Sequence, residues 1–304
     1  MRKLPPVPIA GHSRLVGELL DIHVPLPAYI TPTCTLERAD QSSFEYLSAL
    51  TDACSLFGAN PFENSFDKNT KKISVLDRSE WKYVLLRSSE PISVHWVVYA
   101  SSIVEHGIYL GPIFSPNSLG SSAGLHDRFT NAITWWNEKV ITAATISDWA
   151  RLAQQIESVF LSHADIRRSI QMFHSLSGNN PTYDPLTVLG YFIVIESLLT
   201  HKPDPKDPTD SISRQMRSKI RLLGNRMSPK LDHSGFDCDQ AKVWSALYSY
   251  RSTLAHGGDP DFTKGDLTKL KDQATAVNFL QETCRALLRK AVSEPDLVTD
   301  LKSC

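Results

Sequence analysis

Two charged side chains stand where the surrounding sequence calls for hydrocarbon. The segment Pro185–Leu199, PLTVLGYFIVIESLL, carries one charge, Glu196. At about 100° per helical residue, Leu189, Phe192, Ile193 and Leu199 all project within ~60° of it. A second helix, predicted over residues 239–256, places Trp244, Leu247, Tyr248, Leu254 and Ala255 within ~60° of Arg251. A carboxylate in such surroundings either protonates or finds a cation. A guanidinium cannot shed its proton, and its planar fork matches the two oxygens of a carboxylate. Glu196 and Arg251 are therefore predicted to pair. A purely structural pair that does no chemistry satisfies the same spacing.

Five residues beyond Arg251 stands His256, within RSTLAHGG. Its imidazole is the only group near Arg251 in sequence that exchanges a proton near neutral pH. Five helical steps turn it ~140° away from Arg251, so one regular helix cannot aim both at one site. Gly257-Gly258 ends the helix there, which frees His256 to face a neighbour. A histidine at this position is also a common helix cap. A third feature lies between these helices. From Ser211 to Leu231 there are six basic residues and no acidic one. Arg214, Arg217 and Arg221 fall within ~60° of one another, opposite Ile212, Met216, Ile220 and Leu223. Such a helix buries one face and offers three arginines on the other, either to solvent or to phosphates. Lys219 lies on the apolar flank, where its stem is expected to snorkel.

The elements that must carry these groups can be read from hydrophobic period. After about residue 120 the pattern is helical almost throughout. Phe129, Ile133, Trp136 and Val140 form one stripe. Trp149, Leu152, Ile156, Val159 and Phe160 form another, opening at Ser147, and Ile166, Ile170 and Phe173 a third. Asp184-Pro185 reads as an N-cap followed by proline at the first helical position, for a helix to about Thr200. Further helices fit Ile212–Leu223, Asp239–Ala255 and Asp266–Ala291. The Pro/Asp loop KPDPKDPTD cannot be helical. The first part of the chain is mixed. Phe44, Leu47, Leu50, Cys54 and Phe57 recur at helical spacing and stop at Gly58. Three β-rich runs follow, Trp81–Arg87, Ile92–Ser101 and Gly107–Phe114, and predict an antiparallel meander. SPNSLGSSAG (Ser115–Gly124) is the best linker. The fold class is thus α+β: a small mixed α/β domain over residues 1–120, then a helical domain over 121–304 with its core at about 184–291.

Composition narrows the function. Of 304 residues, 41% are apolar and 21% charged, the balance of an ordinary globular protein. The formal net charge of −1 excludes a polycation, so any nucleic-acid contact must come from a local patch. The five cysteines are odd in number and widely spaced, with no CxxC pair and no histidine at ligand spacing. That argues against a disulfide framework and a structural zinc site. The start MRKLPPVPIAGHS has no apolar leader core, and the 185–199 stretch is too short to span a bilayer. A reducing cytosol, without membrane attachment, is the simplest compartment. In the first domain His95 and His106 have no partnered nucleophile. Tyr29, Phe44, Trp81 and Trp96 read as core rather than as a ligand cage. A sensor or regulatory role suits that domain better than catalysis.

The sequence FIVIESLL, a basic helix, LYSYRSTLAHGG and a long final helix, in that order, resemble HEPN domains, especially the Apea-like HEPN group. The resemblance covers Asp184 to about Ala291. Its motif is an arginine, a short run of any residues and a histidine, which falls on Arg251 and His256. Glu196 matches the acidic residue often found in the preceding helix. Tyr248 belongs to the aromatic-rich stretch before the motif, and Ser252 stands where many members carry Asn, Asp or His. The resemblance implies a metal-independent, cofactor-free RNA endonuclease, in the setting of a toxin or phage-defence effector. It implies a homodimer whose two Arg/His pairs share one cleft, and it leaves room for an antitoxin or regulatory partner; RNA contact by Arg214, Arg217 and Arg221 is the expectation from the basic helix face itself. Cleavage would proceed by attack of the RNA 2′-OH, leaving a 2′,3′-cyclic phosphate. The competing reading is an inactive HEPN module that dimerises or binds a nucleotide or partner protein.

Overall fold

A computed structural model describes residues 12–16, 20–45, 47–48, 64–67, 72–75, 77, 83–105, 107–108, 110–114, 139–177, 184–207 and 210–304. The chain is α+β and resolves into two compact units, Met1–Gln154 and Gln155–Cys304.

The first unit is built on a five-stranded antiparallel sheet. Its strands are β1 (His12–Val16), β3 (Ala28–Thr31), β4 (Cys34–Arg38), β7 (Val84–Ser88) and β8 (Leu110–Phe114), in the order β3-β4-β7-β1-β8. Two two-stranded sheets accompany it: β2 (Leu20–Ile22) with β9 (Lys139–Ile141), which run parallel, and β5 (Asn64–Asp67) with β6 (Lys72–Val75). Leu36 pairs with Leu86 at the sheet centre, and both are fully buried. Residues 41–45 and 47–48 are helical, as expected; the rest of that predicted helix lies outside the described residues.

The expected meander is not what forms. Its middle run, Ile92–Ser101, is helix α1 (Pro91–Ile103). Pro91 opens the helix with a pre-set φ. Val94, Val97, Val98 and Ser101 are buried at i, i+3, i+4 and i+7, whereas His95 is exposed. Packing on β4 and β7 outweighs the β preference of the valines. Tyr29 also departs from expectation: it is 67% exposed, on the outward face of edge strand β3.

The first unit reaches well past residue 120. β9 pairs with β2, and helix α2 (Ala143–Phe160) begins right after it. The indole of Trp149 donates from Nε1 to the Val97 carbonyl at 2.7 Å, fastening α2 to α1. The divide between the units therefore falls inside α2, although the sequence points to about residue 120. The linker Ser115–Gly124 and the stripe residues Phe129, Ile133 and Trp136 lie outside the described residues, and Val140 is in β9.

The second unit is helical: α3 (Ala164–Ser177), α4 (Pro185–Leu199), α5 (Ile212–Gly224), α6 (Gln240–Ala255), α7 (Gln273–Ser293) and α8 (Pro295–Ser303). Helix α4 is the centre, in contact with α3, α5, α6, α7 and α8. That is why its sequence is apolar nearly all round. Asp184 caps it, accepting from the Thr187 amide at 3.3 Å. Gly190 lets α3 approach closely, because a Cβ there would stand 2.7 Å from a Leu176 methyl. Alongside, the Ser169 and Ser197 hydroxyls bond to each other at 2.6 Å. Helix α8 was not anticipated, although Pro295 at its first position marks its start.

The expected single helix Asp266–Ala291 is two elements. A 3-10 turn over Gly265–Leu270 precedes α7. Between them Lys271 has φ 64° and ψ −67°, and the Asp272 amide donates back to Leu270 O at 2.8 Å. This is a γ-turn in its strained form. Asp272 then caps α7, accepting from the Thr275 amide at 2.7 Å. Glycine tolerates that backbone and lysine does not. After allowing for the extra freedom glycine gives the unfolded chain, Lys271→Gly is expected to stabilise the unit by ~1 kcal/mol. Calorimetry should show Tm rising by about 2–4 °C, with no gain for Lys271→Ala.

Candidate functional site

Glu196 on α4 and Arg251 on α6 meet as their anomalous positions predict. Arg251 Nη2 donates to Glu196 Oε2 at 3.4 Å, and Nε lies 3.3 Å from Oε1. Only the first contact has hydrogen-bond geometry; Nε and Oε1 are otherwise buried without a partner. The pair is thus looser than the parallel two-bond fork. It is also not sealed: the side chains are 15% and 30% exposed for Glu196 and Arg251. The guanidinium carbon lies 5.6 Å from the centroid of the Tyr248 ring, a cation–π contact from the preceding helical turn. Arg251 is thereby held on two sides, with its side chain only partly buried.

Burial pushes the Glu196 carboxyl above its ordinary value; the Arg251 charge and hydrogen bond oppose that shift without cancelling it.

His256 is the C-terminal cap residue of α6, exposed, with φ −95° and ψ 9°. Its amide bonds to Ser252 O at 3.1 Å, and Gly257 turns the chain away at φ +72°. No side-chain hydrogen bond, ion pair or ring contact engages its imidazole among the described residues. Glu196, Arg251 and Tyr248 therefore form one cluster, with half-buried Ser252 next to Arg251 on α6. His256 stands apart at the helix end.

Arg214, Arg217 and Arg221 are exposed along one face of α5, and Met216, Ile220 and Leu223 are buried on the other. Lys219 does not snorkel. It is buried, and its ammonium donates to the Lys302 carbonyl at 3.1 Å; burial pulls its pKa down. His201 Nδ1 lies 2.9 Å from the same oxygen, which only accepts, so Nδ1 carries a proton. His201 Nε2 faces the Gln215 amide nitrogen at 3.2 Å, and that nitrogen also donates to Asp210 at 2.6 Å. This network on α5 and α8 was missed because its key acceptor is a backbone carbonyl, which no residue type announces.

Among the described residues no group of three or more His, Cys, Asp or Glu is arranged to hold a metal, and no helix is long and apolar enough to cross a membrane. Comparison with protein-family models, characterised proteins and solved structures finds no match.

The raised Glu196 pKa has a measurable sign. Between the ordinary glutamate value and the raised one, the folded chain holds a proton that the unfolded chain has lost. The stability this provides is complete below the ordinary value and declines as pH rises through the raised one. Glu196→Gln should remove that decline in urea titrations run across this pH window. At pH 7, Glu196→Ala is expected to cost on the order of 1–2 kcal/mol, less than for a sealed pair, because water reaches the stranded guanidinium. An unchanged urea midpoint would show that the pair carries no stability.

Proposed function

We propose that the helical unit is a metal-independent RNA endonuclease of HEPN type, working as a homodimer, in the manner of a toxin or phage-defence effector. One observation carries this reading. A partly exposed arginine side chain is fixed against Glu196 and the Tyr248 ring, five residues before an exposed imidazole that has no side-chain partner among the described residues, at the end of the same helix. A fixed cation suits the charge that builds on phosphoryl oxygens, and an exposed histidine suits proton transfer near neutral pH. The ~140° between the two on the helix is resolved if His256 of one protomer faces Arg251 of the other.

In that composite site the RNA 2′-oxygen attacks the adjacent phosphorus and the bond to the 5′-oxygen breaks. One imidazole takes the 2′-hydroxyl proton, and the other returns a proton to the leaving oxygen. The products are a 2′,3′-cyclic phosphate and a 5′-OH. Because RNA supplies its own nucleophile, the route needs no metal-bound water. The arginine face of α5 supports RNA contact through phosphates, with Arg214, Arg217 and Arg221 spaced along one exposed side.

Helix α4 also supports assembly. Leu186 is 74% exposed and Ile193 48%, with half-buried Leu189 between them, on the side of α4 that leads to Glu196. An apolar row next to the proposed site is a natural seat for the same surface of a second copy.

RNA decay assays on the purified chain test the chemistry. Wild type is expected to cut RNA in EDTA. His256→Ala should lose at least ~10²-fold in rate with fold and dimer intact. Arg251→Ala should lose activity too, and also stability, because it strands Glu196. Equal cleavage by His256→Ala would assign the site to other residues. No cleavage by wild type would favour the inactive dimerising module.

Light scattering tests the assembly. Wild type should have a dimer mass at micromolar concentration, and Ile193→Asp should be a folded, inactive monomer. A dimer unaffected by Ile193→Asp places the interface elsewhere.

A further inference from the structure

Glu196 has one counter-charge and holds it loosely. Arg251 Nη2 reaches Oε2 at 3.4 Å, and Oε1 is buried without a hydrogen-bond partner. Among the described residues Arg251 is the only charge that bears on Glu196. Cations on the helices around α4 are engaged elsewhere. Arg167 on α3 lies over the Phe160 ring, and Lys219 on α5 and His201 at the end of α4 hold the Lys302 carbonyl. Arg285 on α7 contacts Glu282 and lies over Phe173, and Lys302 on α8 pairs with Asp165. Burial pushes the Tyr191 hydroxyl and the Cys284 thiol up, so both stay neutral. Among the described residues no second cation is placed to answer the Glu196 carboxylate if Arg251 is drawn to another anion.

A phosphate at Arg251 changes that balance. Its negative charge either takes the guanidinium away from the carboxylate or settles beside it. Both leave Glu196 facing less net positive charge, and a carboxylate among hydrocarbon without a cation protonates. The group is already biased that way, because burial outweighs Arg251 and holds its carboxyl above the ordinary value. The Glu196 side chain is 15% exposed, which leaves a route for a proton from solvent.

We propose, resting on the nuclease reading above, that Glu196 is a proton-linked positioning residue. It holds Arg251 in place before RNA arrives, and its carboxylate takes up a proton from solvent when an RNA phosphate binds at Arg251. The proton returns to solvent when the phosphate leaves, and the pair forms again. By linkage, acid strengthens the phosphate contact and base weakens it, through a group that exchanges no proton with the RNA itself.

Titration calorimetry on the full chain carrying His256→Ala tests this, with a short 2′-O-methyl RNA as probe. The substitution removes proton uptake by His256 itself, and the methylated probe has no 2′-nucleophile. Binding is measured in two buffers of different ionisation enthalpy, and the difference in heat counts the protons taken up. Uptake of up to about one proton per site is expected, with affinity falling by up to ~10-fold per pH unit as pH rises through the Glu196 range. Glu196→Gln, added to the same chain, should remove both the uptake and the slope while the probe still binds. Glutamine has nearly the shape of glutamate and keeps an acceptor for Arg251, so circular dichroism should match the parent. If the probe binds at no pH, the nuclease reading fails and the proposal with it. Equal proton uptake and equal slope with and without Glu196 overturn the proposal alone. Absence of proton uptake by the parent chain overturns it without any change at Glu196.

Discussion

The helical unit depends on placing one nearly uncharged helix at its centre. Helix α4 is packed by five other helices, so almost every position on it must be apolar, and the one carboxylate it carries has to be answered from a neighbour. Among the described residues α6 does so, with Arg251. The pair ties α6 to α4 at one point along its length; His256 caps α6 five residues further on, where Gly257 turns the chain away at φ +72°.

The pair is built to be held rather than hidden. A sealed ion pair would be a structural rivet, with no donor left for a ligand. Here the contacts are long, only one has hydrogen-bond geometry, and the Tyr248 ring supports the guanidinium from a second side. Burial still dominates at Glu196, whose carboxyl is pushed up despite the adjacent cation. Burial therefore disfavours the charged form of Glu196 by more than Arg251 favours it.

Much of this was legible in the sequence, for reasons that differ by element. Asp184-Pro185 announced the start of α4 because an N-cap and a proline at the first position are chemically distinctive. Glu196 and Arg251 announced each other because each was a charge on an apolar face. Helix α1 was misread because a run as uniformly apolar as ISVHWVVYAS has little period to detect, and its valines favour strands; the sheet it packs on decided the matter. The γ-turn at Lys271 was illegible because lysine is the wrong residue for that backbone. Tyr29 reads as core by residue type, whereas its strand lies at a sheet edge, a matter of topology. The pairing of β2 with β9 joins residues far apart in sequence, and no local signal carries it.

The anchorage of α8 has an effect on which changes the chain can absorb. Helix α8 buries little beyond Val298, and its end is gripped through the Lys302 carbonyl by His201 and Lys219. A main-chain oxygen is the same in every residue type. The clasp on the carbonyl therefore places no demand on the side chain at 302, which is engaged separately: its ammonium donates to Asp165 at 2.6 Å. The two grips ask different things of the sequence, the first constraining only the donors His201 and Lys219, the second constraining both of its partners.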